Sequence, residues 1–143
     1  MDDLDKALLA QLTMDARLSL ATLARRLKVA RSTVQSRLER LESSGAIAGY
    51  TVKLGDSARA GLIRASVLLT VEPRNQPAIL ARLKAIPEVE RINTISGRCD
   101  LLLQVAAPST AALDAVLDGV GETPGVRASE SLIHLSTKLD RSS

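Results

Sequence analysis

Aromatic residues are almost absent from this chain, whose only one is Tyr50. Proteins that bind single-stranded nucleic acid, and the sheets that recognise RNA, stack bases on aromatic side chains. A chain without Phe or Trp has almost nothing to offer for such stacking. If the protein binds nucleic acid, the composition therefore favours duplex DNA.

Cysteine and histidine each occur once, as Cys99 and His134. A single thiol excludes an internal disulfide framework and a multi-thiolate metal site, and it suits a reducing compartment. A metal site or a Ser-His-Asp triad would have to be built around His134, and no pattern of acids or nucleophiles points there. We therefore expect no catalytic residue, no metal and no cofactor, with Cys99 an ordinary turn residue and His134 a half-exposed strand residue.

Long apolar runs are also missing, since no segment approaches the roughly 20 apolar residues of a membrane-spanning helix. The opening Met1-Asp2-Asp3 is unlike a secretory signal, which begins with positive charge. We expect a cytoplasmic protein with no membrane partner.

The charge that is present is unevenly distributed. Residues 1–54 hold 9 basic and 6 acidic residues, whereas residues 55–143 hold 10 of each. Within the first part, residues 16–40 contain seven bases and one acid. Such a cluster attracts phosphate groups, and the alternative is an ordinary solvated helical surface.

The first third of the chain has the periodicity of three short helices. Leucines recur every four residues behind Asp2 or Asp3, either of which can cap the first helix. Ser19 can cap the second helix, and residues 28–30 form a break before the third. Three short helices with a tight turn between the last two indicate a helix-turn-helix.

The third helix is expected to bury Val34, Leu38 and Leu41. It should end before Gly45, because helices often end in a left-handed residue, usually glycine. Residues 47–54 are expected to form a short strand, the wing of a winged motif. We assign residues 1–54 to this domain.

The face of the third helix opposite the apolar stripe is polar. Each residue advances about 100° around a helix, so Ser32, Ser36 and Arg40 point away from Val34 and Leu38. In the major groove, Gln pairs with adenine, Arg with guanine and hydroxyls with either. Base contacts are expected near the start of this helix, and phosphate contacts from outlying arginines. The DNA-contact candidates are Arg31, Ser32, Thr33, Gln35 and Ser36 for bases, and Arg25, Arg26, Arg37 and Arg40 for phosphates.

Residues 55–61 are small and polar, and we assign them as a linker. Beyond them the period alternates between strands and helices. Strands are predicted over residues 63–71, 89–95, 101–107 and 126–135, and helices over residues 75–86 and after Ser109. The order β-α-β-β-α-β is the ferredoxin-like arrangement. The predicted fold class is α+β, with a ferredoxin-like βαββαβ domain over residues 62–143.

Two of these strands are apolar on both faces, at Val67-Leu68-Leu69 and Leu101-Leu102-Leu103. With both helices on one side of the sheet, the other side has no cover, yet such strands are normally buried on both faces. The simplest cover is a second copy of the same sheet, related by a two-fold axis. We therefore expect a homodimer, with a tetramer or octamer as larger assemblies.

Five short motifs follow one another in a fixed order. They are Leu23-Ala24-Arg25-Arg26-Leu27, the run from Ser32 to Glu42, the run from Gly45 to Thr51, Ser96-Gly97-Arg98-Cys99-Asp100, and Pro124-Gly125-Val126. Their order and spacing resemble the Lrp/AsnC family of feast/famine transcription regulators over nearly the full length of the chain. The resemblance implies a nucleoid-associated DNA-binding regulator that is not an enzyme.

In that family, a Gly-x-x-Asp turn lies beside a small-molecule site, usually for an amino acid, between neighbouring dimers. The resemblance therefore implies an effector site, in which a carboxylate would hold an α-ammonium and a backbone N–H of the turn a carboxylate. Its candidate residues are Ser96, Gly97, Arg98, Asp100, Ser129 and Ser131. A tight connection between strands favours Gly and Asp whatever its function, so a purely structural turn is the alternative.

Two positions depart from the family pattern. Lys28 stands where Gly is common in the turn, at a cost of ~1 kcal/mol if the backbone is left-handed there. Ala30 stands where a capping Ser is usual, so the cap is expected to fall to Ser32, with Gln35 closing a capping box.

Two other functions compete. Sirohaem decarboxylases resemble the family in architecture, but they use several histidines around a tetrapyrrole. This chain has a single histidine and is poorly equipped for that chemistry. The other alternative is an architectural protein that binds DNA without sequence preference and without an effector.

Overall fold

The structure, a computed structural model, describes residues 1–141. The chain forms two compact units, residues 1–53 and residues 54–141. The first contains the helices α1 (Asp3–Met14), α2 (Leu20–Leu27) and α3 (Arg31–Ser43). A four-residue helix, α4 (Asp56–Arg59), lies within the segment predicted as a linker and belongs to the second unit.

The first two helices begin where the sequence predicts. The Asp2 carboxylate accepts the Asp5 N–H at 2.9 Å, and the Asp5 carboxylate accepts the Asp2 N–H at 3.2 Å, which is a capping box. The Ser19 hydroxyl accepts the Thr22 N–H at 3.1 Å. Both predicted caps are confirmed, with Asp2 rather than Asp3 in the first.

The turn between α2 and α3 contains both positions that depart from the family pattern, Lys28 and Ala30. Lys28 is left-handed, with φ 58° and ψ 44°, and is the only non-glycine residue of positive φ among residues 1–141. The predicted cap at Ser32 is wrong. Ala30 occupies the cap position, and its carbonyl already accepts the N–H groups of Thr33 at 3.0 Å and Val34 at 3.2 Å. Ser32 therefore lies inside the first turn, and Gln35 closes no capping box.

The end of α3 and the core of the first unit match the prediction. Gly45 has φ 83°, and the Ile47 N–H returns to the Leu41 carbonyl at 2.9 Å. Val34 and Leu41 are buried and Leu38 packs against them. The core is completed by Leu8, Leu23 and Ala24.

The short strand predicted over residues 47–54 is wrong. None of residues 48–54 makes a backbone hydrogen bond within residues 1–141, and none has strand structure. A strand exists only beside another strand that accepts its ladder of hydrogen bonds, and the first unit has no other extended segment.

The second unit is a four-stranded antiparallel sheet with two long helices. Its elements are β1 (Ile63–Val71), a 3₁₀ turn (Pro73–Asn75), α5 (Gln76–Lys84), β2 (Val89–Thr94), β3 (Leu101–Ala107), α6 (Thr110–Gly121) and β4 (Val126–Ile133). The strand order is β2-β3-β1-β4, and the predicted ferredoxin-like arrangement is confirmed. The predicted helix over residues 75–86 is shorter because Ala85 and Ile86 form a tighter turn before Pro87. The strands β2 and β4 end one and two residues earlier than predicted.

The two faces of the sheet differ. Alternate residues of β1 and β3, such as Val67, Leu69 and Leu103, are buried together with Ile79, Leu83, Leu113 and Val120 of the helices. The intervening residues Leu68 and Leu102, which pair across the two strands, are only half-buried on the opposite face. None of the helices within residues 1–141 is both long enough and apolar enough to span a membrane.

Candidate DNA-recognition helix and effector turn

The polar side of α3 lies at the surface of the first unit. Arg31, Ser32, Gln35 and Ser36 are exposed, and Thr33 is half-buried. The buried stripe on the other side of the helix anchors it to α1 and α2. The arrangement is therefore that of a recognition helix held by its apolar face, and the base contacts of these five residues stay a prediction.

Further basic residues lie at the end of α2. Arg25 and Arg26 are exposed in its last turn, and Lys28 follows in the left-handed turn. Arg26 donates to the Gln11 side-chain oxygen at 3.0 Å, whereas Arg25 has no ion pair within residues 1–141. Both guanidinium groups lie at the surface, where a phosphate can reach them.

Arg37 and Arg40 have partners that the sequence analysis missed. The Arg37 guanidinium donates to the Asp2 carboxylate and to Asp5 Oδ1 at 3.2 Å, while Arg40 Nη2 lies 3.3 Å from Asp5 Oδ2. The predicted phosphate contact of Arg37 therefore competes with two carboxylates of its own chain. A signal for this existed in the acidic first turn of α1, which we interpreted only as a cap.

The ion pairs displace the pKa values of the groups involved. Hydrogen bonds from the Arg37 side chain and then the Asp5 backbone lower the pKa of Asp2 from 3.8 to about 2. Burial raises the pKa of Asp5, but the hydrogen bonds from the Asp2 backbone and from Arg37 outweigh it, and the net shift is downward. The same two carboxylates raise the pKa of Arg37.

The pKa of Asp2 gives the first unit a predictable acid response. A carboxyl whose pKa is lowered by folding stabilises the fold fully above its unfolded pKa and loses that stabilisation as the pH falls through the folded one. The contribution of Asp2 should therefore disappear between about pH 4 and pH 2. We expect Asp2→Asn to be less stable than the natural protein at pH 6 and equally stable near pH 2. Urea unfolding followed by the fluorescence of Tyr50, which lies in the first unit, measures this difference.

The control is Asp3→Asn, which removes a neighbouring exposed carboxylate that has no ion pair within residues 1–141. It should follow the natural protein across the pH range. A stability gap between Asp2→Asn and the natural protein that persists unchanged at pH 2 would contradict the assignment.

The turn between β2 and β3 has a structural role of its own. Gly97 has φ 131°, which favours glycine, and Ser96, Gly97 and Arg98 are exposed. The Asp100 N–H donates to the Leu69 carbonyl at 2.8 Å, and Asp100 Oδ2 accepts the Val71 N–H at 2.9 Å. Asp100 therefore closes the end of β1, whatever it binds in addition.

The turn contacts Glu130 of β4, which was not among the predicted site residues. Arg98 Nη2 lies 3.0 Å from Glu130 Oε2 of β4. Ser129 and Ser131 pair with Leu69 and Val67 and so lie on the helix-covered face, opposite to Glu130. No hydrogen bond joins either serine to the turn within residues 1–141, and their place in an effector site stays a prediction.

A second ion pair lies close by. Arg127 and Glu72 approach to 2.5 Å, and this pair, followed by the more distant charge of Asp100, raises the pKa of Arg127. Asp100 thus has one carboxylate oxygen bonded to the backbone and a cation in its neighbourhood. A ligand ammonium at this turn would compete with Arg127 for the charge of Asp100.

Comparison with known proteins identifies both units. The model of the AsnC-type helix-turn-helix domain matches residues 1–42, and that of the Lrp/AsnC ligand binding domain matches residues 64–143. The HTH-type transcriptional regulator LrpA of Mycobacterium tuberculosis is 35% identical over 134 residues, which are 93% of this chain and 89% of that protein. The crystal structure of the leucine response regulatory protein of the same organism has a TM-score of 0.81 and 34% identity, covering 100% of this chain and 98% of that one.

Two solved structures share the fold at lower identity. AsnC of E. coli has a TM-score of 0.88 at 24% identity, covering 99% of this chain and 97% of that one. A transcriptional regulator of Neisseria meningitidis, solved in complex with L-Met, has a TM-score of 0.86 at 24% identity, with 98% and 93% covered.

A helix-turn-helix unit followed by a ligand-binding unit defines a DNA-binding transcriptional regulator. The chain belongs to the Lrp/AsnC family. Its relatives are transcriptional regulators and not enzymes, which confirms the expectation drawn from the sequence.

Proposed function

We propose that a homodimer or larger assembly of this regulator recognises a specific operator in chromosomal duplex DNA with α3, and that an amino acid bound at the β2–β3 turn alters this binding. The proposal places the protein in the cytoplasm, on the nucleoid. The observation that carries it is the exposed polar side of α3, held over a buried stripe and accompanied by Arg25 and Arg31, which are exposed and have no ion pair within residues 1–141.

The side chains of α3 are better suited to recognising bases than to contacting phosphates alone. Phosphate contacts need only charge, whereas base edges need donors and acceptors in a fixed pattern. The first six residues of α3 offer an amide, three hydroxyls and a guanidinium, all near the helix end that most often enters the major groove in this motif.

The experiment that tests the proposal is selection of bound genomic fragments, performed with and without a mixture of the twenty amino acids. We expect a small set of enriched fragments with a shared sequence, and a change in their enrichment when the mixture is added. Uniform recovery of all fragments would instead indicate an architectural protein.

Gln35→Ala should reduce the preference for the selected operator over random duplex. If Gln35 bonds bidentately to an adenine, the loss is roughly 1–3 kcal/mol. Gln35 is exposed and makes only a long 3.4 Å contact with Glu39, so the stability of the fold should not change. Competition gel shifts measure the preference, and Ser43→Ala, at the far end of α3, is the control that should leave it unchanged. Undiminished preference in Gln35→Ala would move base reading to Arg31 or Ser36.

The effector part of the proposal rests on the turn and on a relative. The regulator of Neisseria meningitidis with the same fold was solved with L-Met. In this chain, a backbone N–H of the exposed residues Gly97 or Arg98 can meet a carboxylate, and the charge of Asp100 can meet an ammonium. The hydrogen bonds of Asp100 with Val71 and Leu69 tie this end of the turn to β1, which favours a preformed site.

Asp100→Asn is the variant that separates effector binding from folding. Asparagine keeps an oxygen for the Val71 N–H but removes the negative charge that would hold an ammonium. We expect normal operator binding without effector and a lost response to it. Asp100→Ala should in addition destabilise the fold by about 1–3 kcal/mol, because the Val71 N–H loses its acceptor.

Calorimetry against the twenty amino acids identifies the ligand first, and operator titrations of both variants follow. A full response in Asp100→Asn would place the site elsewhere. If the natural protein binds none of the twenty, the amino-acid part of the proposal fails, while the operator part stands.

The homodimer is supported by the uncovered face of the sheet. Leu68 and Leu102 lie side by side there, and Leu132 of β4 is 49% exposed on the same face. Two ion pairs, Arg64 with Glu90 at 3.5 Å and Arg98 with Glu130 at 3.0 Å, flank these leucines. Apolar side chains bordered by polar and charged ones are usual in protein interfaces.

A further inference from the structure

We infer that Arg37 is a positioning residue of the recognition helix and not a phosphate contact. It locks α3 to the start of α1, and through this lock the carboxylates of Asp2 and Asp5 set the orientation in which α3 meets DNA. The candidate DNA contacts from the sequence are thereby reduced by one, and two acidic residues gain a role in DNA recognition.

The geometry is that of two facing pairs, each one helical turn long. Asp2 and Asp5 are three residues apart at the start of α1, and Arg37 and Arg40 are three residues apart on α3, so each pair projects to one side of its helix. Arg37 bridges both acids, and Arg40 reaches Asp5 from the next turn. The contacts therefore fix the rotation of α3 about its axis as well as its distance from α1.

Burial makes this lock obligatory. The Asp5 side chain is only 3% exposed, and a carboxylate removed from water needs charged or hydrogen-bonding partners. Its partners are the Asp2 N–H, Arg37 and Arg40. The Arg37 side chain is 25% exposed, against 62% for Arg40, so Arg37 is the cation committed to the protein interior.

A phosphate contact by Arg37 would have to break these bonds. The guanidinium would leave a buried carboxylate with fewer partners in order to meet a phosphate in water. Arg25 is exposed and has no ion pair within residues 1–141, and it can meet phosphate without such a loss. This difference is why we assign a positioning role to Arg37 and a phosphate contact to Arg25.

The test uses the full chain and compares Arg37→Gln with Arg25→Gln. On a 30-base-pair duplex of random sequence, each phosphate contact contributes about −0.9 to the slope of log K against log salt. Arg25→Gln should flatten the slope by about that amount, and Arg37→Gln should leave it unchanged. On the selected operator, Arg37→Gln should lose preference over random duplex by about fivefold or more, the low end for one base contact. Arg37→Lys, which keeps one charged donor, should recover part of that preference.

Asp2→Asn provides a second test of opposite sign: it removes the Asp2 charge that Arg37 meets, but it leaves the ion pairs of Asp5 with Arg37 and Arg40. If Asp2 merely withheld Arg37 from DNA, removing its charge would free the guanidinium, tighten binding to random duplex and steepen the salt slope. The positioning role predicts the reverse: an unchanged slope and a lower preference for the operator. All binding is measured at temperatures below the unfolding midpoint of each variant, followed by Tyr50 fluorescence.

A slope flattened by about 0.9 in Arg37→Gln, or tighter random-duplex binding by Asp2→Asn, would overturn the inference. Of the two measurements, only the preference for the operator rests on the proposed function; the salt slope on random duplex does not. If selection yields no operator, the proposed function fails while the slopes still decide the role of Arg37.

Discussion

Gly125→Ala is expected to destabilise the second unit by about 2–5 kcal/mol, combining left-handed backbone strain with overpacking. Gly125 has φ 95°, where side chains are strained. An added Cβ would lie 2.7 Å from Asn75 Nδ2, 2.8 Å from Asn75 Cβ and 3.0 Å from Ile79 Cδ1. Ile79 is fully buried, and the Gly125 carbonyl accepts the Glu72 N–H at 2.9 Å. Neither the Ile79 side chain nor the Gly125 backbone can therefore shift easily to relieve the clash.

Gly119→Ala is the matched control for this prediction. Gly119 lies in α6, has no unusual φ, and offers open space to a Cβ. Alanine there should stabilise the chain by roughly 0.5–1 kcal/mol, because glycine costs more entropy in a helix. Urea unfolding at one fixed protein concentration, followed by circular dichroism, should give shifts of opposite sign. Equal midpoints for the two variants would show that the approach of Gly125 to Asn75 and Ile79 is not tight.

Sequence reasoning succeeded where the determinants are local. The predicted bounds of β1 and β3 agree with the structure because both strands are rich in apolar residues and lie between turn residues. The burial of Val34 and Leu41 followed from helical periodicity alone. The break predicted over residues 28–30 also lies where the structure has its turn, with Lys28 left-handed.

It failed where a residue's partner is remote in sequence. Arg37 and Asp2 are 35 positions apart, and nothing in either helix alone reveals that they meet. The ion pair of Arg98 with Glu130 likewise depends on β1 and β4 pairing antiparallel. Residues 47–54 show the converse error: alternating apolar residues predict a strand, but only a second strand can complete one.

If the proposed homodimer forms through the uncovered sheet face, Leu102→Arg is expected to convert it into a monomer. Leu102 lies on the uncovered sheet face, next to Leu68 on the neighbouring strand. A guanidinium there would be buried between two sheets without a partner, at a cost of several kcal/mol. Since each 1.4 kcal/mol changes the dissociation constant tenfold, the dimer should weaken roughly 100-fold or more.

Light scattering should therefore give twice the chain mass of 15.2 kDa or a higher multiple for the natural protein, and a single chain mass for the variant. Operator affinity should fall by about 10²–10⁴, because each monomer keeps its α3 but loses the second, tethered contact with DNA. The control Ala81→Arg adds the same charge on the exposed side of α5 and should remain a dimer with normal affinity. A Leu102→Arg protein that stays dimeric would show that the sheet face is not the interface, and a monomeric natural protein would remove the premise. A monomeric variant that keeps full operator affinity would mean instead that one α3 suffices for recognition.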